Sequence, residues 1–301
     1  MVSRRGVTLL ELMVALAVAG LALSLIAAIS ARQQRIVAGL TDRAVLWTQL
    51  GDAASILPID LRSASPAGGD IRDARDTSIQ LRATIATAVV CDVRSGTLVL
   101  APASPGADTY GSVLSPIKQG DTAWLFTPGD SADGWQGYGI DAATMEAPGP
   151  CAISGPLLTG SARLLPRIGI RLDGASRSTI GMPVRVTREL RYSLYRGSDR
   201  AWYLGQRDWN ASTLRFNTIQ PVAGPFLPPR SGGRQGGLEF RYVDTIGNVV
   251  SVPVADTRAL SMIRIDLRGE TQSAERSFSS AAVDGKRLDS IGVWVLLRNR
   301  K

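Results

Sequence analysis

The sequence predicts an α+β fold: one long N-terminal helix, transmembrane in its first half, packed on a mainly antiparallel, β-rich globular head. Three observations predict it. From Val7 to Ala31 the only charged side chain is Glu11, so a run of about 25 residues is long enough, at ~1.5 Å per residue, to cross a bilayer. Beyond Ala31 polar residues appear while apolar ones keep recurring at helical spacing. In the second half, apolar and polar residues alternate with period two, the mark of antiparallel strands that cover a core on one side. The expected boundaries are 1–6 for a short basic leader, 7–57 for the helix, 58–78 for a linker and 79–301 for the head.

The N-terminus reads Arg4-Arg5-Gly6-Val7-Thr8-Leu9-Leu10-Glu11, a basic leader running into a hydrophobic helix that carries one carboxylate. An ionised acid inside a membrane helix costs on the order of 2.5–3.5 kcal/mol on insertion scales and is by default a functional residue with a partner. A secretory signal peptide or a plain signal anchor leaves Glu11 unexplained. A signal peptide has an uncharged apolar core of about 7–15 residues before its cleavage site, shorter than this run.

Leader, glycine, acid position and hydrophobic length together resemble the class III leader of type IV pilins and type II secretion pseudopilins. The resemblance implies cleavage by prepilin peptidase between Gly6 and Val7 on the cytoplasmic face, then methylation of the new amine of Val7. It makes Glu11 the fifth residue of the mature chain, where it pairs with the free amine of a neighbouring subunit's Val7. An amine and a carboxylate meeting in hydrocarbon offset each other's desolvation, so the pair fixes register. Val7 departs from the family, which usually has phenylalanine there. The resemblance also sets orientation: the leader faces the cytoplasm, a single span crosses the inner membrane, and the head is periplasmic.

Along the membrane segment Ala15 and Ala19 are four residues apart, as are Gly20, Ser24 and Ala28. Each set lies on one helix face, where small side chains let another helix approach; the alternative is simply an alanine-rich anchor. Major pilins usually carry a proline near the end of this segment, where this chain has Ala28. Ile36, Leu40, Trp47, Leu50, Ala54 and Leu57 continue the helical spacing. A helix from Val7 to Leu57 measures roughly 75 Å. Pro58 marks its end or a bend, and Asp60-Leu61-Arg62 resembles the acid-Leu-Arg block that follows this helix in larger minor pilins. Ser63–Gly69 is rich in helix breakers.

Short apolar runs follow at Ile79–Ile85, Ala88–Val93, Thr97–Leu100 and Thr122–Phe126. Ser131–Pro156 shows no periodicity and is expected to be a long irregular loop. Val184–Tyr195, Leu238–Val243 and Ser261–Arg268 alternate with period two, one parity mainly apolar and the other mainly polar. The order Arg191–Leu194, Trp202–Leu204, Leu238–Asp244, Ile263–Leu267 resembles the strand series of the large minor subunits, the J class of secretion pseudopilins and the W class of pilus assembly pilins. Ser231–Gly237 reads as a mobile loop. Ile291–Leu297, apolar on both parities, reads as a final strand buried on both faces. If the head lies outside the cytoplasm, as the leader implies, Cys91 and Cys151 form one disulfide; the alternative is two buried thiols.

Histidine is absent, which excludes Ser-His-Asp and Cys-His catalysis and the commonest zinc ligand. Gly129-Asp130-Ser131 has no histidine to activate it and reads as a turn. Neither Asp130 and Asp133 nor Asp70, Asp73 and Asp76 has the loop signature of a calcium site. No catalytic residue, metal or cofactor is expected. The formal charge is +8, and loss of Arg4 and Arg5 leaves 8 − 2 = +6. The excess is scattered, so a nucleic-acid partner is not expected. The expected partners are other minor pilins or pseudopilins, prepilin peptidase and the inner-membrane assembly platform. A DNA-binding minor pilin used in uptake and a membrane-anchored periplasmic enzyme are the competing readings.

Overall fold

A computed structural model of the chain describes residues 8–102, 111–127, 134–149, 151, 164–174, 178–271, 282–283 and 286–297. Helix α1 spans Leu9–Ser63. The strands are β1 (Ile71–Ala74), β2 (Ser78–Arg94), β3 (Thr97–Leu100), β4 (Ser112–Val113), β5 (Thr122–Phe126), β6 (Trp135–Glu146), β7 (Arg167–Leu172) and β8 (Pro183–Arg196). They continue with β9 (Trp202–Asn210), β10 (Arg215–Phe216), β11 (Gln220–Phe226), β12 (Leu238–Asp244), β13 (Val249–Val250), β14 (Leu260–Glu270), β15 (Ala282–Val283) and β16 (Lys286–Leu296). Two units divide the chain. One holds the chain up to Thr48 together with Glu270–Asp289; the other holds Gln49–Gly269 and the residues from Ser290 onward.

In the second unit the last part of α1 packs on the antiparallel β-rich head. Leu50, Ala53, Leu57 and Leu61 follow at helical steps and are all 0% exposed, a single apolar stripe. The helix runs through Pro58 to Ser63, past the Leu57 boundary expected from sequence. Proline costs a helix one hydrogen bond and crowds the preceding turn, yet Leu57 and Leu61 flank Pro58 with side chains sealed in the core, and that burial carries the helix onward. The expected stripe does not extend back to Ile36, Leu40 and Trp47, which are exposed.

The larger sheet runs β1-β2-β3-β7-β6-β5-β8-β9-β10, with β4 on β2 and β11 on β9. Because β2 also pairs with β8, the strands β2-β3-β7-β6-β5-β8 close a ring. One core cluster draws on all six, including Val90, Leu100, Leu125, Ile140, Ile170 and Val186. The two runs Ile79–Ile85 and Ala88–Val93 are one strand, β2, whose register against β8 slips between Thr84 and Ala86. Ile79, Leu81 and Ala83 are buried before the slip and Ala86, Ala88 and Val90 after it. A bulge shifts the parity and keeps one face on the core throughout, so the break in alternation is a bulge, not a gap between strands.

Ser131–Pro156 is not all loop, since β6 pairs with β5 on one side and β7 on the other. Its pattern was hidden by a register shift between Ile140 and Ala142 and by glycines that neighbouring side chains demand. A Cβ on Gly137 would sit 3.1 Å from the Trp124 ring, and one on Gly139 would collide with the Asp173 carboxylate. Val184, Val186, Leu190 and Tyr192 are buried as their alternation predicts, as are Leu238, Phe240, Tyr242, Ile263, Ile265 and Leu267.

The smaller sheet runs β13-β12-β14-β16-β15. In β16 only one parity is sealed: Val295 is buried while Trp294 is 49% and Leu296 55% exposed. The Arg264 guanidinium stacks over the Trp294 ring, 5.2 Å from its centroid, a cation–π contact that accommodates an indole on the outer face. Ser231–Gly237 forms a tight turn closed by the Ser231–Arg234 bridge, and Gly236 donates its N–H to Glu239 Oε1 at 3.2 Å.

Candidate functional site

The start of α1 holds the one acid of the apolar segment. Thr8 precedes the helix and Glu11 lies three residues on, the spacing of a capping box. Thr8 N and Thr8 Oγ1 donate to Glu11 Oε2 at 2.9 and 3.1 Å, and Glu11 N donates back to Thr8 Oγ1 at 3.3 Å. Glu11 Oε1 takes no hydrogen bond from a described residue, so one carboxylate oxygen stays open. The capping role was missed from sequence although Thr8-Leu9-Leu10-Glu11 has its signature. Gly6 and Val7 lie outside the described residues.

From Leu9 to Ile29 the large apolar side chains are exposed, from 56% at Val14 to 77% at Leu9. The helix is long and apolar enough to cross a membrane. Ala15, Ala19, Gly20, Ser24 and Ala28 are exposed too; Gly20 has no atom within 4 Å of where a Cβ would stand, and Ser24 Oγ donates to Leu21 O at 2.8 Å. Thus the segment presents both bulky and small side chains outward, and its hydroxyl is satisfied within the helix.

The other end of α1 is bound to the head by buried polar groups. Arg185 of β8 donates from Nη2 to Ser63 O at 3.1 Å and to Asp70 Oδ2 at 2.7 Å, and from Nε to Thr84 Oγ1 at 2.8 Å. It therefore satisfies a carbonyl that the helix end leaves without an intrahelical partner, and adds a positive charge at the negative end of the dipole. Asp70 Oδ2 also accepts from Ser65 N at 2.7 Å, closing the turn in which Gly69 takes φ +72°, a region that favours glycine. Tyr192 OH donates to Asp60 Oδ2 at 2.6 Å. Burial raises the Asp60 pKa above the ordinary carboxylate value, and burial beside that carboxylate raises the Tyr192 phenol's pKa. Gly224 N donates to Gln49 Oε1 at 3.0 Å.

A second buried pair secures the chain ahead of β5. Arg188 Nε and Nη2 each lie 2.8 Å from an oxygen of Asp121, and Nη2 also donates to Pro116 O at 2.7 Å. Cys91 and Cys151 are joined in a disulfide with Cα atoms 4.8 Å apart. This resolves the alternative of two buried thiols and closes a loop with a sequence separation of 60.

Nothing in the head assembles reaction chemistry from described residues. An apolar cleft of about 410 Å³ lies between Val113–Ile117 and Ala143–Met145; its polar side chains are the hydroxyls of Ser115 and Thr144. Among the described residues no three histidine, cysteine or carboxylate side chains gather as a metal site.

Comparison with known families matches residues 1–27 to the prokaryotic N-terminal methylation motif. The match supports a type IV pilin-like protein, a class whose members are structural and assemble with other pilins. Neither the curated proteins nor the solved structures compared give a match.

Proposed function

We propose that this chain is a minor pilin or minor pseudopilin, a non-catalytic subunit that initiates or caps a type IV pilus or a type II secretion pseudopilus. The observation that carries the reading is the N-terminal methylation motif over residues 1–27 on a helix whose exposed apolar segment, Leu9–Ile29, has Glu11 as its one acid. In this reading prepilin peptidase cuts after Gly6, the amine of Val7 is methylated, and the open oxygen of Glu11 receives the amine of a neighbour. Ala15, Ala19, Gly20, Ser24 and Ala28 then pack against neighbouring helices in the filament. The span holds the chain in the inner membrane with the head in the periplasm until the assembly platform extracts it. A bulky head obstructs stacking along a filament, which favours a place at the tip.

The test is a strain deleted for the gene and complemented with wild type or Glu11→Ala, scored for surface filaments and secreted proteins in the same cultures. Loss of filaments alone assigns the chain to a pilus; loss of secretion alone assigns it to a pseudopilus. Wild-type behaviour of Glu11→Ala, or a leader still attached to protein from native membranes, overturns the reading.

A further inference from the structure

The head gathers arginines on one face of its larger sheet. Arg191 of β8 stands directly opposite Arg207 of β9, while on the other side of β8 Gln80 faces Arg191 and Arg82 faces Glu189. Residues paired across antiparallel strands point the same way. These five side chains therefore share one face, opposite to the face on which Leu190, Tyr192 and Leu204 are buried. Arg82 lies over the Trp124 ring at 5.0 Å, and burial together with the like charge of Arg72 lowers its pKa.

The buried arginines elsewhere in the head are answered by acids: Arg185 by Asp70, Arg188 by Asp121, Arg268 by Glu239. On this face the acids are already engaged: Asp70 holds Arg185, Asp73, opposite Gln80, accepts from Arg75 Nε, and Glu189 accepts from the Gln80 amide. No hydrogen bond or ion pair joins the guanidinium of Arg72, Arg191 or Arg207 to a described residue. Like charges placed directly opposite in a sheet repel, and Arg191 and Arg207 bear that cost without a counter-ion.

We propose that this face docks carboxylate side chains of a neighbouring protein subunit, with Arg191 and Arg207 as its central pair. The nature of the neighbour rests on the filament-subunit reading; the preference for acid rests on the face itself. Guanidinium groups match carboxylates in geometry as well as charge. Glu189 stands between Arg82 and Arg191, so a continuous polyphosphate crossing the face would meet a negative charge. A protein partner sets its carboxylates at discrete positions and avoids Glu189.

The experiment uses the full chain in detergent with fluorescent decaglutamate, read by anisotropy at low salt. Arg191→Gln with Arg207→Gln should weaken binding about tenfold, the effect of losing two exposed ion pairs. Arg171→Gln with Arg230→Gln removes the same charge elsewhere and should leave binding nearly unchanged. Without peptide, the first double variant should melt no lower than wild type, since it relieves repulsion; this separates lost binding from lost folding. No decaglutamate binding, equal loss in both double variants, or tighter binding of an oligo-dT strand overturns the proposal. None of these outcomes depends on leader cleavage or Glu11, so failure here leaves the filament reading standing. Failure of the Glu11 test with decaglutamate binding intact leaves the acid-binding face and removes only the filament neighbour.

Discussion

Tyr192 of β8 donates its phenolic proton to Asp60 of α1 over 2.6 Å, so a strand and the end of the helix share one buried hydrogen bond. The partner does not offset burial for the acid: Asp60 is held above its ordinary 3.8, with desolvation as the larger cause and the hydrogen bond opposing it. Below 3.8 the group is protonated in folded and unfolded chains alike. As pH rises from there through the raised folded value, ionisation is harder in the folded chain and stability is lost.

Asp60→Asn follows directly. The amide oxygen still accepts from Tyr192, and no charge is buried. Thermal melting of the full chain in detergent should give a higher transition for Asp60→Asn than for wild type at neutral pH, with the difference shrinking on acidification toward 3.8. A lower melting temperature at neutral pH would show that the ionised form is favoured in place.

Arg185 and Asp70 give the opposite expectation. Asp70 is 2% exposed in its side chain and Arg185 21%, and the guanidinium also serves Ser63 O and Thr84 Oγ1. Removing one partner strands a buried charge, so Arg185→Met alone should destabilise by about 3 kcal/mol or more in denaturant unfolding. Arg185→Met with Asp70→Asn should recover part of that loss. Equal destabilisation by the single and double variants would mean that packing, not charge, dominates.

The disulfide makes a third prediction. Closing a loop with a separation of 60 residues stabilises by about 4 kcal/mol in the chain-entropy model. Replacing Cys91 and Cys151 together by alanine should lower the denaturant midpoint accordingly. Reduction of the wild-type chain should reproduce that shift, and an unchanged midpoint would assign the head's stability to its core alone.

The fold was legible where a simple period held. Alternation identified the inward faces of β8, β12 and β14, and the helix followed from its apolar length and spacing. Legibility failed where local geometry broke the period. A bulge near Ile85 split β2 into two runs, and glycines under Trp124 and Asp173 erased the pattern of β6. Polar ties were less visible still: Asp60 and Tyr192 each stood in a recognisable block, but their 132-residue separation conceals the bond. Arg191 and Arg207 looked like scattered charge until register set them opposite one another.

Glu11 caps its helix and, in the filament reading, also serves a neighbour; one substitution can separate the two. Its carboxylate closes a capping box with Thr8, and the filament reading requires its charge for a neighbour's amine. Glutamine also completes a capping box but has no charge to give. Glu11→Gln should therefore leave helix content by circular dichroism unchanged and still abolish filament assembly in the complemented strain. Thr8→Val, which removes the hydroxyl and keeps the acid, should retain assembly at a reduced level. If Glu11→Gln assembles like wild type while Thr8→Val does not, the acid acts through the helix start and the intersubunit pair is not the determinant of register.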